Sequence, residues 1–72
     1  MKISARNQLK GKVIAIEKGA VNAIVKLDIG GGNVISATIS LDALKELKLK
    51  EGKKACAIIK ATSVMIGVSE KK

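Results

Sequence analysis

Residues 21–40 read VNAIVKLDIGGGNVISATIS, and this stretch decides the architecture. Val21, Ala23, Val25, Leu27 and Ile29 fall on one face of an extended chain, with Asn22, Lys26 and Asp28 on the other beside Ile24. Such alternation predicts a strand with one buried side, because successive side chains of a strand point to opposite faces. Gly30, Gly31 and Gly32, followed by Asn33, interrupt it, and glycine supplies the positive φ that a tight connection needs. Beyond the turn Ile35, Ala37 and Ile39 share one face, and Val34, Ser36, Thr38 and Ser40 the other. The stretch is a β-hairpin.

Upstream, GKVIAIEKG (residues 11–19) reads as another strand, ending at a Lys18-Gly19 turn. Downstream, Ser40 is a natural N-cap and Asp42 lies in the first turn, where the helix dipole favours negative charge. Leu41, Leu44 and Leu47 recur at helical spacing, carrying the expected helix to about Leu49, with Gly52 closing it. KKACAIIKA and SVMIGV predict two more strands joined at Ala61-Thr62, and residues 69–72 a frayed tail. Residues 1–72 thus predict one all-β domain. Five strands with one short helix between strands 3 and 4 is the order of an OB-like five-stranded barrel.

Composition narrows what such a barrel can be. A chain of 72 residues lies near the lower limit for folding alone. It has one cysteine, Cys56, and no histidine, so neither an internal disulfide nor a zinc site supplements the core. It has no Phe, Tyr or Trp either, so burial comes from many small aliphatic contacts. Ile24, Ile58 and Met65 add apolar surface on strand faces that should point outward. Together these features predict an oligomer. The opening residues MKISARNQ contain no apolar run, so no signal peptide is expected. No apolar stretch approaches the roughly 18 residues of a membrane span, and a lone thiol fits a reducing cytoplasm.

The net charge of +8 invites a nucleic-acid reading, against the plainer one of a solvated lysine surface. Single-strand binders need aromatic stacking platforms, which this chain lacks. Its one expected helix, LDALKELKL, is short and carries no arginine to read a duplex. An oligomeric OB-type nucleic-acid-binding protein is therefore the alternative reading, and a small anion the first.

Catalysis is hard to assemble from these residues. Without histidine there is no ordinary triad, Cys56 has no acid–base partner nearby, and the six carboxylates stand singly among lysines. GGGN follows a strand without opening a helix and lacks the G-K-[ST] of a phosphate loop, so it reads as a turn. An enzyme is rejected. What remains is a set of donors: Ser4, Arg6 and Asn7 near one terminus, Ser40 at a helix start, and Lys60 before Ala61, Thr62 and Ser63. Each also has a plain reading, as cap, turn residue or solvated cation. Arg6, the one arginine among 14 basic residues, could simply pair with a surface carboxylate.

SARNQLKGKV, GAVNAIV, ISLDALKELKLKEGK and AIIKATSVMIGV together resemble the molbindins, the small Mop proteins of molybdenum metabolism, over essentially the whole chain. The Ser-Ala-Arg-Asn opening before L-x-G-x-V, and the I-K-[small]-[S/T] turn near the end, carry the resemblance. It implies an OB-like barrel in a cytoplasmic hexamer, a trimer of dimers, binding molybdate or tungstate between subunits for storage or homeostasis. No nucleic acid, membrane or metal cation takes part. One implied site uses Ser4, Ala5, Arg6, Asn7, Lys60 and Ala61 with Ser40 of a neighbouring subunit, and Thr62 and Ser63 lie close by. A second implied site, near a threefold axis, uses the backbone of Lys18, Gly19, Ala20, Val21 and Asn22. Some relatives carry a hydroxyl residue directly after the lysine; here Ala61 offers only its N–H.

The chemistry agrees with that assignment. Molybdate and tungstate are dianions with no proton to give at neutral pH, so a matching site presents donors and no carboxylate. Arginine offers a planar fork to two oxygens, and lysine adds a point charge. Monohydrogen phosphate carries a proton that needs an acceptor, so a donor-only site disfavours it. Sulfate differs mainly in its smaller size.

Overall fold

The computed structural model describes residues 1–70. Four antiparallel strands, β1 (Asn7–Lys18), β2 (Asn22–Gly30), β3 (Asn33–Ser40) and β4 (Lys54–Ile59), form one sheet in the order β3-β2-β1-β4. A single helix, α1 (Leu41–Glu46), lies between β3 and β4, and a 3-10 turn covers Ala61–Ser63. The sheet curls into a half-barrel around Val13, Ala23, Val25, Leu27 and Leu44, the buried core.

The β2–β3 hairpin forms where alternation places it. Leu27 pairs with Ile35, Val25 with Ala37 and Ala23 with Ile39, which puts both apolar rows on the inner face. Gly30, Gly31 and Gly32 all have positive φ (96°, 63° and 78°), conformations costly for any residue with a Cβ. Asp28 Oδ1 accepts from the Gly30 N–H at 2.9 Å, and the Asn33 amide donates to the Gly30 carbonyl at 3.2 Å.

β1 departs from simple alternation. Its register against β2 shifts between Val13 and Ala15, leaving Ile14 as an extra residue. The bulge resets the parity: Val13 faces Leu27 and Ile16 faces Val25, so both point inward although three residues apart. Ile14 is left 44% exposed. Gly11 allows β1 to close on β2, since a Cβ there would overlap the Asp28 carbonyl.

The helix begins as expected, with Ser40 Oγ accepting from the Ala43 N–H at 3.0 Å. It ends at Glu46, three residues before the expected Leu49. Lys48 takes a left-handed φ of 53°, and the Leu49 N–H reaches back to the Leu44 carbonyl at 3.2 Å. Lys53 Nζ donates to the Leu47 and Lys48 carbonyls at 2.7 and 3.2 Å, capping the end that the turn exposes. This early stop swings Leu49 back against the core and leaves Leu47 on the surface.

The fifth strand expected at SVMIGV is the main correction. Among the described residues the sheet has four strands, and residues 64–68 join none of them. Alternation creates a strand only where a partner edge is available, and beyond the 3-10 turn at Ala61–Ser63 the side chains of Met65, Ile66 and Val68 stay 88–90% exposed. Of the tail expected at residues 69–72, residues 71 and 72 lie outside the described residues.

Candidate oxyanion site

The β1–β4 ladder builds the first group of donors. Asn7 pairs with Ile59 at its end, and the Asn7 amide donates to the Ile59 carbonyl at 3.3 Å. That register brings Arg6 and Lys60, the next residue on each strand, to the same end of the sheet. Gln8 steadies the segment before β1 by donating to the Ala5 carbonyl at 3.2 Å, a contact the sequence reading did not single out. Ser4 and Arg6 are exposed and Ala5 half-buried. Among the described residues Arg6 forms no ion pair; the one present joins Lys26 to Glu17 at 3.6 Å. The plain reading of Arg6 as half of a surface ion pair therefore falls.

Lys60 opens the 3-10 turn in an extended conformation, and its carbonyl accepts from the Ser63 N–H at 2.9 Å. Ala61, Thr62 and Ser63 form the turn itself and are exposed, beside Lys60. Six of the seven residues expected at the first site thus gather at one end of the molecule.

Ser40 does not join them. It pairs with Asn22 at the opposite end of the sheet, where Lys18 pairs with Ala23. β1 separates the two ends, and its 12 residues at about 3.3 Å each span roughly 35 Å. No single tetrahedral anion bridges that distance. Within one chain Ser40 belongs instead with residues 18–22: the Leu41 N–H donates to the Val21 carbonyl at 3.1 Å, and the Gly19 N–H to the Asn22 carbonyl at 2.8 Å. Lys18, Gly19, Ala20, Val21 and Asn22 line an open hollow of about 470 Å³ together with Glu17. The Glu17 carboxylate is the one unfavourable group for an anion there, and Lys26 partly offsets it.

Two further features bear on charge. Lys18, Lys45, Lys48 and Lys50, together with the carboxylate of Asp42, line a second open hollow beside α1, of about 600 Å³. Among the described residues no group of three or more Cys, Asp or Glu side chains could hold a metal ion. No helix is long and apolar enough to cross a membrane.

The curled antiparallel sheet with one short helix is a small OB-like β-domain, and residues 3–66 match the TOBE domain. The chain belongs to that family and, within it, to the molybdenum-pterin-binding Mop proteins. It is 75% identical over 68 residues to a probable molybdenum-pterin-binding protein of Haemophilus influenzae, covering 94% of this chain and 99% of that one. Its structure matches MopII of Clostridium pasteurianum with a TM-score of 0.87 at 55% identity, over 93% of this chain and 100% of the other. It also matches the cytoplasmic molybdate-binding protein ModG, in a molybdate-bound form, with a TM-score of 0.90 at 48% identity. That match covers 96% of this chain and 49% of ModG. The OB-like class expected from strand order holds, with four strands contributed by the single chain.

Proposed function

We propose that this protein binds molybdate or tungstate between copies of itself, in a cytoplasmic homohexamer arranged as a trimer of dimers, and so stores or buffers molybdenum. The observation that carries the reading is the separation of Ser40 from Arg6 and Lys60 by the length of β1. A site using all three requires two chains. One contributes Ser4, Ala5, Arg6, Asn7, Lys60 and Ala61, with Thr62 and Ser63 beside them, and the other contributes Ser40. Ser40 Oγ accepts from Ala43 as a cap, which leaves its O–H free to donate to an oxyanion. Asn7 likewise keeps one amide N–H after its bond to Ile59. The hollow at residues 18–22 supplies the second site type, through backbone N–H groups and Lys18.

The binding partner is the free oxyanion rather than a pterin. A pterin ring is held largely by stacking, and this chain has no aromatic side chain to stack on it. A binding protein rather than an enzyme follows from the same donor-only chemistry, and the relatives' names agree. The test is isothermal titration of the purified protein with molybdate, tungstate and sulfate at constant ionic strength, with a labelled oligonucleotide as the rival ligand. Saturable binding of the first two, weaker sulfate and no oligonucleotide retention is the expected result. Oligonucleotide binding without molybdate binding would overturn the proposal.

A further inference from the structure

The hollow beside α1, of about 600 Å³, combines a charged rim with an apolar lining. Lys18, Lys45, Lys48 and Lys50 stand around it, all exposed, against the single carboxylate of Asp42. Leu41 and Leu49, half-buried against the core, supply the apolar part together with buried Leu44. Among the described residues the one ion pair joins Lys26 to Glu17, so no carboxylate of the chain pairs with these four lysines. A concave patch dominated by one sign of charge focuses its field on whatever enters.

The plain reading is that lysines near the end of α1 answer the helix dipole. Lys53 already does so, since its Nζ donates to the Leu47 and Lys48 carbonyls at 2.7 and 3.2 Å. Lys48 is also the one residue other than glycine with a positive φ, 53°, among the described residues. It directly follows the C-cap Leu47, the position where helices usually place glycine. Glycine takes that conformation freely, whereas lysine takes it against the steric cost of its Cβ. Outliers of this kind cluster at binding sites.

We infer that this hollow docks an acidic segment of another protein, one that sets apolar side chains between carboxylates. The carboxylates meet the lysine rim, and the apolar side chains cover Leu41 and Leu49. A small oxyanion fits the hollow poorly. Ammonium groups on flexible stems offer charge without the fixed donors that select a tetrahedral ion, and the space is many times larger than one. A nucleic-acid backbone would meet the rim but leave the leucines uncovered, and the chain has no aromatic side chain on which bases could stack. The surface goes beyond the oxyanion reading and stands without it, because Lys45, Lys48 and Lys50 belong to neither proposed oxyanion site.

The test uses the full-length protein without oxyanion and a fluorescein-labelled peptide of glutamates interrupted by two leucines, followed by anisotropy. The parent is expected to bind it, and to bind the same peptide with serines for leucines on the order of tenfold more weakly. A labelled thymidine oligonucleotide of equal charge is expected to bind no better than the serine peptide. Lys45→Glu combined with Lys48→Glu reverses two exposed rim charges and should weaken the leucine peptide on the order of tenfold or more. Lys10→Glu combined with Lys12→Glu makes the same change in net charge on the outer face of β1 and should bind like the parent. Lys48→Gly separates docking from folding: peptide affinity should fall about threefold while the urea midpoint rises. Any one of five results overturns the inference: no peptide binding by the parent, equal binding of the two peptides, tighter binding of the oligonucleotide, equal losses in the two charge-reversed variants, or parental peptide affinity in Lys48→Gly. Loss of molybdate binding with peptide binding intact would count against the oxyanion reading alone.

Discussion

Asn7 and Ile59 face each other at the end of the β1–β4 ladder, and the Asn7 side chain also donates to the Ile59 carbonyl at 3.3 Å. The doubled contact locks two segments 52 residues apart in sequence, and with them the relative placement of Arg6 and Lys60. Both side chains are exposed, and among the described residues Arg6 has no ion-pair partner.

Arg6→Lys keeps the charge and removes the planar fork. Affinity for molybdate at the first site type should fall by about 1.5–3 kcal/mol, the range for a hydrogen bond to a charged group. Titration calorimetry checks this, with light scattering to show that assembly is unchanged. Affinity equal to the parent's would remove Arg6 from the site.

Ser40 has two roles that two substitutions separate. Ser40→Ala loses the Oγ acceptor for Ala43, costing about 1 kcal/mol of stability, and weakens binding as well. Ser40→Asp keeps the cap, since aspartate caps as well as serine, but sets a carboxylate against a dianion. The expected outcome is near-parental urea unfolding with binding lost. Intact binding in Ser40→Asp would show that Ser40 does not meet the anion.

Gly11→Ala tests the packing that holds the ladder. The added Cβ meets the Asp28 backbone carbonyl, which cannot move without disturbing β2. Overpacking of this kind costs about 1–3 kcal/mol, a large share of the stability of so small a domain. A lowered urea midpoint is expected, and an unchanged one would mean that β1 and β2 separate easily at this point.

If the proposed site lies between subunits, only the assembled state contains it whole, and molybdate should raise the midpoint of thermal dissociation. Millimolar sulfate at matched ionic strength controls for screening. A midpoint that molybdate leaves unmoved, or that both anions shift equally, would count against a selective site between subunits.

The hairpin at residues 21–40 and the Ser40 cap were legible because the determinants are local. Alternation, three glycines before an asparagine and a serine before a leucine-spaced segment each act within a few residues. The donors of the candidate site were legible as residue types, and the two clusters at residues 4–7 and 60–63 as near neighbours in sequence. Their meeting was not. It depends on the β1–β4 register, set by contacts across 52 residues. The early helix stop was equally hidden, because it arises from Lys48 turning left-handed and Lys53 capping two carbonyls.

By itself, then, the sequence determined a β-rich chain with a glycine hairpin, a capped short helix, an aromatic-free core and a donor set suited to an oxyanion. Tertiary structure alone decided that the Ile14 bulge turns Val13 and Ile16 to the same side. It also placed Ser40 at the opposite end of β1 from Arg6, and left residues 64–68 outside the sheet that their alternation fits. The physical reason is common to all three. Alternation specifies which side chains share a face, but pairing energy exists only against a particular partner edge, and the curled sheet selects that partner through contacts distant in sequence.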